Sequence, residues 1–272
     1  MDEREREDGV VRLDLAVKLP LAREYQRHIL EHRARFKLLI CGRRWGKTKL
    51  GLMAACQGHG PKSEWKGALD GARIGWIVPS EEHPSSAEVW NDLKKALGSV
   101  RLAAGIPALK GPREARISEV QRLIQVPGGG SVQVWSGFHP DGLRGPWFDG
   151  VVVDECSLQS EELWQALRPT LSDYAGWALL LGTVPKDVVK HWFVDLHRKA
   201  RTPEWQGRGW QTWRRPSADN PQLAKADAAE ARETLGERAY LREYEARLLS
   251  VAGGIWKEEW LRPYLRRRLR TR

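Results

Sequence analysis

The string CGRRWGKT at residues 41–48 most constrains what this chain can fold into, because a turn ending in G-K-T belongs between a buried strand and the first turn of a helix. Both flanks have the required character. Residues 36–41 form the apolar run FKLLIC, and residues 47–57 are good helix formers until Gly58 and Pro61 stop them. At such a junction, backbone N–H groups and the positive end of the helix dipole can hold phosphate. Lys47 would reach the β and γ phosphates and Thr48 would ligate magnesium, with Gly42, Arg43, Arg44 and Gly46 forming the rest of the cradle. The spacing departs from the usual G-x-x-x-x-G-K-T: Cys41 occupies the first glycine's place and glycine comes one step later, at Gly42. Two adjacent arginines repel each other and gain most with an anion between them; a solvated basic turn is the alternative.

A phosphate loop that hydrolyses needs carboxylates at the end of a neighbouring buried strand, and residues 151–155 read VVVDE. Asp154 would bind the magnesium through water, and Glu155 would polarise the attacking water as general base. No N-K-x-D string, which would read guanine, occurs, so ATP is the expected nucleotide.

Periodicity places these motifs in an alternating βα order. Buried strands are predicted at residues 74–78, 150–153 and 177–181, with helices at 21–35, 87–97, 161–167 and 188–199. Residues 122–126 and 131–135, joined by PGGG, read as a hairpin at the sheet's edge. A tryptophan-rich strand at 209–213, a turn at 216–221 and two helical stretches within 222–249 follow. The expected fold class is α/β: a P-loop NTPase of the type with an added strand and a catalytic glutamate (ASCE), with a mainly parallel central sheet flanked by helices and a small C-terminal helical subdomain. The expected domains are an arm at 1–20, the ATPase core at 21–215, a helical lid or linker at 216–260 and a basic tail at 261–272. Whether the alternating residues Val10, Val11, Leu13, Leu15 and Val17 form an edge strand or a loose arm stays open.

A net charge of +10 favours a polyanionic partner, but six of those charges are Arg262, Arg266, Arg267, Arg268, Arg270 and Arg272. Cys41, Cys56 and Cys156 lack metal-ligand spacing and read as small buried residues in a reducing compartment. No apolar run is long enough to span a bilayer, and the charged start MDEREREDG is unlike a signal peptide, so the expectation is a soluble intracellular protein without membrane contact. Most of the 14 tryptophans fall in predicted apolar faces. Trp205, Trp210 and Trp213, interleaved with Arg201, Arg208, Arg214 and Arg215, offer a DNA-facing surface.

With GRRWGKT and VVVDE placed, the chain resembles the large terminase subunits of tailed bacteriophages, whose N-terminal ATPase carries an arginine-bearing phosphate loop of this form. The resemblance extends to Tyr25 and Gln26 upstream, to Leu143, Arg144 and Gly145, to LRPTLS at 167–172, to Leu181, Gly182 and Thr183 before Pro185, and to Asp219, Asn220 and Pro221. It implies a motor that moves double-stranded DNA into a procapsid from the host cytoplasm. Its partners would be the portal protein and the small terminase subunit, and it would work as a homo-oligomeric ring, a pentamer when assembled. It further implies that Gln26 contacts adenine, that Arg43 assists catalysis within the loop, that Arg144 acts in trans on a neighbour's γ phosphate, and that Thr183 couples phosphate state to DNA grip. Arg144 has a surface salt bridge as its plain alternative, and Thr183 a β-turn. Relatives of this kind continue into a nuclease domain past a stretch like GGIWKEEW at 253–260; with no acidic residue after Glu259, no nuclease activity is expected of these residues. A helicase-like translocase of the same broad class and a catalytically silent DNA-binding scaffold are the competing readings.

Overall fold

The computed structural model describes residues 22–102 and 111–249. The N-terminal arm, the GGIWKEEW stretch and the arginine-rich tail lie outside the described residues. α1 (Glu24–Leu30) leads into β1 (Phe36–Cys41), the phosphate loop and α2 (Lys47–Gln57). β2 (Arg73–Val78), α3 (Pro84–Leu97), β3 (Arg116–Ser118), β4 (Leu123–Gln125) and β5 (Ser131–Ser136) follow. Then come β6 (Gly150–Val153), α4 (Glu161–Thr170), β7 (Trp177–Gly182), α5 (Trp192–Ala200), α6 (Pro203–Gly207), β8 (Trp210–Arg215), α7 (Lys225–Leu235) and α8 (Glu237–Glu243).

The strands make one 8-stranded sheet in the order β3-β4-β5-β2-β6-β7-β1-β8. All pairings are parallel except β3 with β4 and β4 with β5. The expected hairpin therefore sits at one end of the sheet, but β3 lies outside it and β5 is docked in parallel on β2. β7 stands between the phosphate-loop strand β1 and the acid strand β6, so one strand is inserted between the two motifs, as the expected P-loop NTPase fold requires.

Burial on both faces explains the continuous apolar runs of β1, β6 and β7. Alternate residues feed two separate cores: Leu39, Val152, Leu179 and Leu181 pack with α2 and α3, whereas Leu38, Ile40, Val151, Val153 and Leu180 pack with α4 and α5. Continuing that alternation past Val153 turns Asp154 toward the face of α2.

Lys37 breaks the apolar run yet is buried, and its ammonium donates to the carbonyls of Ile29 at 2.7 Å and Leu30 at 2.9 Å. A buried cation thus satisfies orphan carbonyls at the end of α1 and pins that helix to β1. Burial lowers its pKa to about 7. The pinned helix carries Tyr25 and Gln26 to the phosphate loop.

Candidate nucleotide site

The loop is held open by contacts from three directions. From α1, the Tyr25 hydroxyl donates to the Trp45 carbonyl at 2.9 Å and the Gln26 amide donates to the Gly46 carbonyl at 3.1 Å. Gln26 is buried, and its Oε1 accepts the Arg23 backbone N–H at 3.3 Å, so both ends of the amide are engaged at the loop. From the turn at Ser217–Asp219 and its neighbour, Ser217 Oγ donates to the Arg43 carbonyl and Asn220 Nδ2 to the Arg44 carbonyl, each at 2.6 Å. From α8, the Glu243 carbonyl accepts the Arg43 N–H and its carboxylate accepts Arg43 Nε, both at 2.7 Å.

With the loop's carbonyls turned outward to these donors, the N–H groups that follow Arg43 are left for an anion, whereas those of Gly42 and Arg43 bond the carbonyls of Arg215 and Glu243. Gly46 makes the reversal possible with φ at 100°, a conformation L side chains rarely adopt, and it caps α2. The shifted glycine also has a reason. A Cβ at Gly42 would lie 2.3 Å from Ser217 Oγ and 2.4 Å from the Tyr244 carbonyl, so glycine is needed where the bracing turn crosses the loop, while Cys41 simply finishes the buried strand.

Trp45, between the arginines and Gly46, is fully buried. Its ring meets Tyr25 edge-on at 5.2 Å and its indole N–H points to Asp219 Oδ2 at 3.3 Å. Sequence reasoning assigned no role to Trp45, Ser217 or Glu243, and none at the loop to Asn220. The usable signal was a large aromatic in a loop otherwise made of glycine and charge, which must bury itself somewhere.

The two arginines differ. Arg43 is ion-paired to Glu243, whereas Arg44, at φ 58°, has no ion-pair partner among the described residues. Arg44 is the exposed cation free to meet an anion, and Arg43 ties the loop to α8.

Across the site, Lys47 is almost buried and its ammonium lies 3.9 Å from Glu155 Oε1. Glu155 is held at φ 48°, a strained conformation of the kind found where structure over-determines a functional residue. Asp154 is buried; its Oδ1 accepts the Glu155 N–H at 3.0 Å, while its Oδ2 has no hydrogen-bond partner. Burial first, then the Glu155 charge, raise its pKa to about 6 against the opposing pull of Lys47 and the Thr48 hydroxyl. An orphaned, buried carboxylate oxygen beside the hydroxyl at the start of α2 is a donor set suited to a hard divalent cation such as magnesium.

That shift has a consequence for stability. An Asp154 pKa raised from 3.8 to about 6 means the folded protein holds a proton that the unfolded chain has released between those values. Stability from this group is full below about pH 4 and lost as pH rises through about 6, an effect of up to about 3 kcal/mol. Metal-free protein should show this component in denaturant titrations across pH 4 to 7, and Asp154→Asn should lack it. Parallel pH profiles for the two proteins would refute the assignment.

Thr183, at the end of the inserted strand β7, meets Ser157 hydroxyl to hydroxyl at 3.1 Å, one short turn after Glu155. Gln159 Nε2 donates to the Asp154 carbonyl at 3.2 Å, and the Trp192 indole donates to the Gln159 carbonyl at 2.7 Å, linking the acid strand to α5. Arg144 lies apart on the turn after Pro140–Leu143, exposed and paired with Asp141 at 2.8 Å. Its plain alternative, a surface salt bridge, is the contact it makes within this chain.

The expected tryptophan surface divides. Trp210 and Trp213 sit three apart on β8 and so face opposite sides of the sheet, Trp210 in the α4/α5 core and Trp213 against His32 at 5.3 Å. Trp205 and Trp210 remain together on one side. Cys41, Cys56 and Cys156 are buried and unpaired, with burial pushing Cys41 and Cys56 to about 12. Among the described residues, no helix is long and apolar enough to cross a membrane.

No family model matches the chain. It is 33% identical over 138 residues to the terminase large subunit of Thermus virus P23-45, a match spanning 45% of this chain and 26% of that relative. The fold of the Thermus phage P74-26 large terminase ATPase domain superposes on it with a TM-score of 0.59 at 19% identity, covering 84% of this chain and 94% of that one. The large terminase of another thermophilic bacteriophage, in complex with ATP-gamma-S, gives 0.58 at 12% identity, covering 83% of this chain and 52% of that one. The chain thus spans about a quarter of the curated relative's length. The chain is thus similar in sequence, over part of its length, to bacteriophage large terminase subunits, and it shares the fold of their ATPase domain.

Proposed function

We propose that the chain is a magnesium-dependent ATPase motor that drives double-stranded DNA into a viral procapsid. It would act in the host cytoplasm at the portal, with the small terminase subunit and other copies of itself as partners. The observation that carries the reading is the convergence of Lys47, Thr48, Asp154 and Glu155 on one space at the mouth of a braced loop, with one carboxylate oxygen of Asp154 unpartnered.

In this reading Lys47 and the N–H groups of the loop neutralise the β and γ phosphates, and Arg44 adds charge from the exposed side. Thr48 and Asp154 would hold magnesium, which when bound would supply positive charge to offset that of the phosphates. Glu155 orients the attacking water and accepts its proton, helped by the contrast between the two carboxylates: the buried acid serves the metal, the more exposed one the water. Thr183 passes the state of that corner to β7 through Ser157. Gln26 and Tyr25 act on the nucleotide through the loop they brace, and the second Nε2 hydrogen of Gln26, beyond the one given to Gly46, is the donor it could offer to adenine.

Arg144 is exposed and held by Asp141 rather than by any group of its own phosphate loop, so its service is to a neighbouring copy's γ phosphate, as a finger delivered in trans. ATP turnover per subunit should therefore rise with protein concentration. Arg144→Ala and Glu155→Ala should each be inactive alone, and mixing them should restore part of the rate. Turnover independent of concentration with no rescue would rule out the trans role; absence of any magnesium-dependent ATP hydrolysis by the wild type, with or without DNA, would overturn the function itself.

A further inference from the structure

The phosphate loop leaves the C-terminal end of β1, and a second, different site opens at the other end of the same strand. Phe36, the first residue of β1, floors a cleft of about 310 Å³ together with Trp210, Trp164 and Trp205, and three arginines, Arg35, Arg168 and Arg208, line the rest of it. The rings are organised rather than merely close. Phe36 and Trp210 stack at 4.7 Å, and Trp164 and Trp205 approach Trp210 at 5.8 and 5.4 Å.

The cations sit on the same rings. The guanidinium carbons of Arg35 and Arg168 lie 4.7 and 5.0 Å from the Phe36 centroid, and Lys199 Nζ lies 5.6 Å from that of Trp205. Arg35 is oriented by the carbonyls of Gly176 and Leu171, each at 2.9 Å, and Arg168 by Ser172 Oγ at 3.2 Å. Arg208, at the rim, is tethered to Glu204 at 2.6 Å, but neither Arg35 nor Arg168 has a carboxylate partner among the described residues. The charge of Arg168 adds to burial in lowering the pKa of Arg35. Two like charges held side by side over an aromatic floor lack a counterion, and the phosphate-loop chemistry at the other end of the sheet does not use them.

A ligand for such a cleft must offer an anion to the guanidinium groups and a flat face to the indoles. A nucleotide offers both, and only when its base is unpaired, because in an intact duplex the base faces are stacked inside and the cleft would meet phosphate and sugar alone. We propose that the cleft binds an unpaired nucleotide, its base against Trp205 and Trp164 and its phosphate at Arg168, with Arg208 at the rim. Whether the nucleotide is free or part of a frayed or single strand is the same chemistry, and the two sources are separable.

The test is fluorescence anisotropy of labelled dT12 with the full chain, competed by unlabelled dT12, by a 12-base-pair blunt duplex and by dTMP. Unlabelled dT12 should compete at least tenfold better than the duplex; dTMP competing as well as dT12 per nucleotide would assign the cleft to free nucleotide, and weaker dTMP competition to the strand. Trp205→Ala should weaken dT12 binding about tenfold or more. Arg168→Gln, a partly exposed position that preserves the fold if Trp205→Ala does not, should weaken it and lower the slope of binding against log salt by about 1. Because this site is remote from the phosphate loop, Lys47→Ala should bind dT12 as the wild type does while failing to hydrolyse ATP, so the two readings fail separately. Equal competition by duplex and dT12, or undiminished dT12 binding in both Trp205→Ala and Arg168→Gln, would overturn the proposal.

Discussion

Glu155→Gln should lower the steady-state rate of ATP hydrolysis by about 10²- to 10⁴-fold, the range general-base removal produces, while leaving nucleotide binding within a few-fold of the wild type. The amide keeps the size of the carboxylate and cannot accept the proton of the attacking water. Lys47, whose ammonium lies 3.9 Å from Glu155 Oε1, loses one of two nearby carboxylates and keeps Asp154, so its charge is less offset and affinity for the triphosphate should hold or rise. The positive φ of Glu155 is tolerated by glutamine no worse than by glutamate, which keeps backbone strain out of the comparison. The measurement is single-turnover hydrolysis alongside equilibrium binding of a fluorescent nucleotide. A variant that hydrolyses within threefold of the wild type would remove Glu155 from the base role. Loss of binding with an unchanged chemical rate would make it a structural partner of Lys47.

How much of this site was legible beforehand depended on the range of the interactions that build it. The bounds of β1, α2 and β6 coincide with those read from the chain, because strands buried on both faces are uninterrupted apolar runs and glycine or proline stops them. Their adjacency to G-K-T and D-E follows from local order alone. The limits of helices were less readable: α1 ends at Leu30 although residues 31–35, EHRAR, hold neither glycine nor proline to stop it, and α5 begins at Trp192, where the His191 ring caps the N–H of Phe193, although Val188 is already buried. β3 escaped notice because three mostly exposed residues, RIS, carry no burial pattern.

The bracing contacts were illegible for a different reason. Asn220 and Ser217 reach the loop across 176 and 174 residues of sequence, and nothing in the Pro216–Pro221 turn announces which carbonyls its donors will meet. Tryptophan spacing, in contrast, was misread with the information at hand: a three-residue interval on a strand reverses the face, so Trp210 and Trp213 could not share a surface.

Trp45→Ala should damage the fold severely while leaving every proposed catalytic side chain in place. Truncating a fully buried tryptophan costs about 3 to 5 kcal/mol, and here it also removes the indole N–H from Asp219 and the edge contact with Tyr25. For a chain of this size each kcal/mol moves the melting temperature by about 2 to 4 °C, so the midpoint should fall by roughly 6 to 20 °C. The functional effect should be of another kind than that of Glu155→Gln. Trp45 anchors the peptide whose neighbouring carbonyls are held by Asn220 and Gln26, so without it the N–H cradle is no longer preorganised and the ordering cost falls on nucleotide binding. KM for ATP should rise by more than kcat falls, and saturating nucleotide should recover part of the lost thermal stability, because ligand binding stabilises only the folded state. Trp45→Phe separates the two contributions: it keeps an aromatic edge for Tyr25 but cannot donate to Asp219, and should cost about 1 kcal/mol with little change in KM. If Trp45→Ala melts within 2 °C of the wild type, the indole is not the anchor, and the weight of holding the loop passes to the donors on α1 and the Ser217–Asp219 turn.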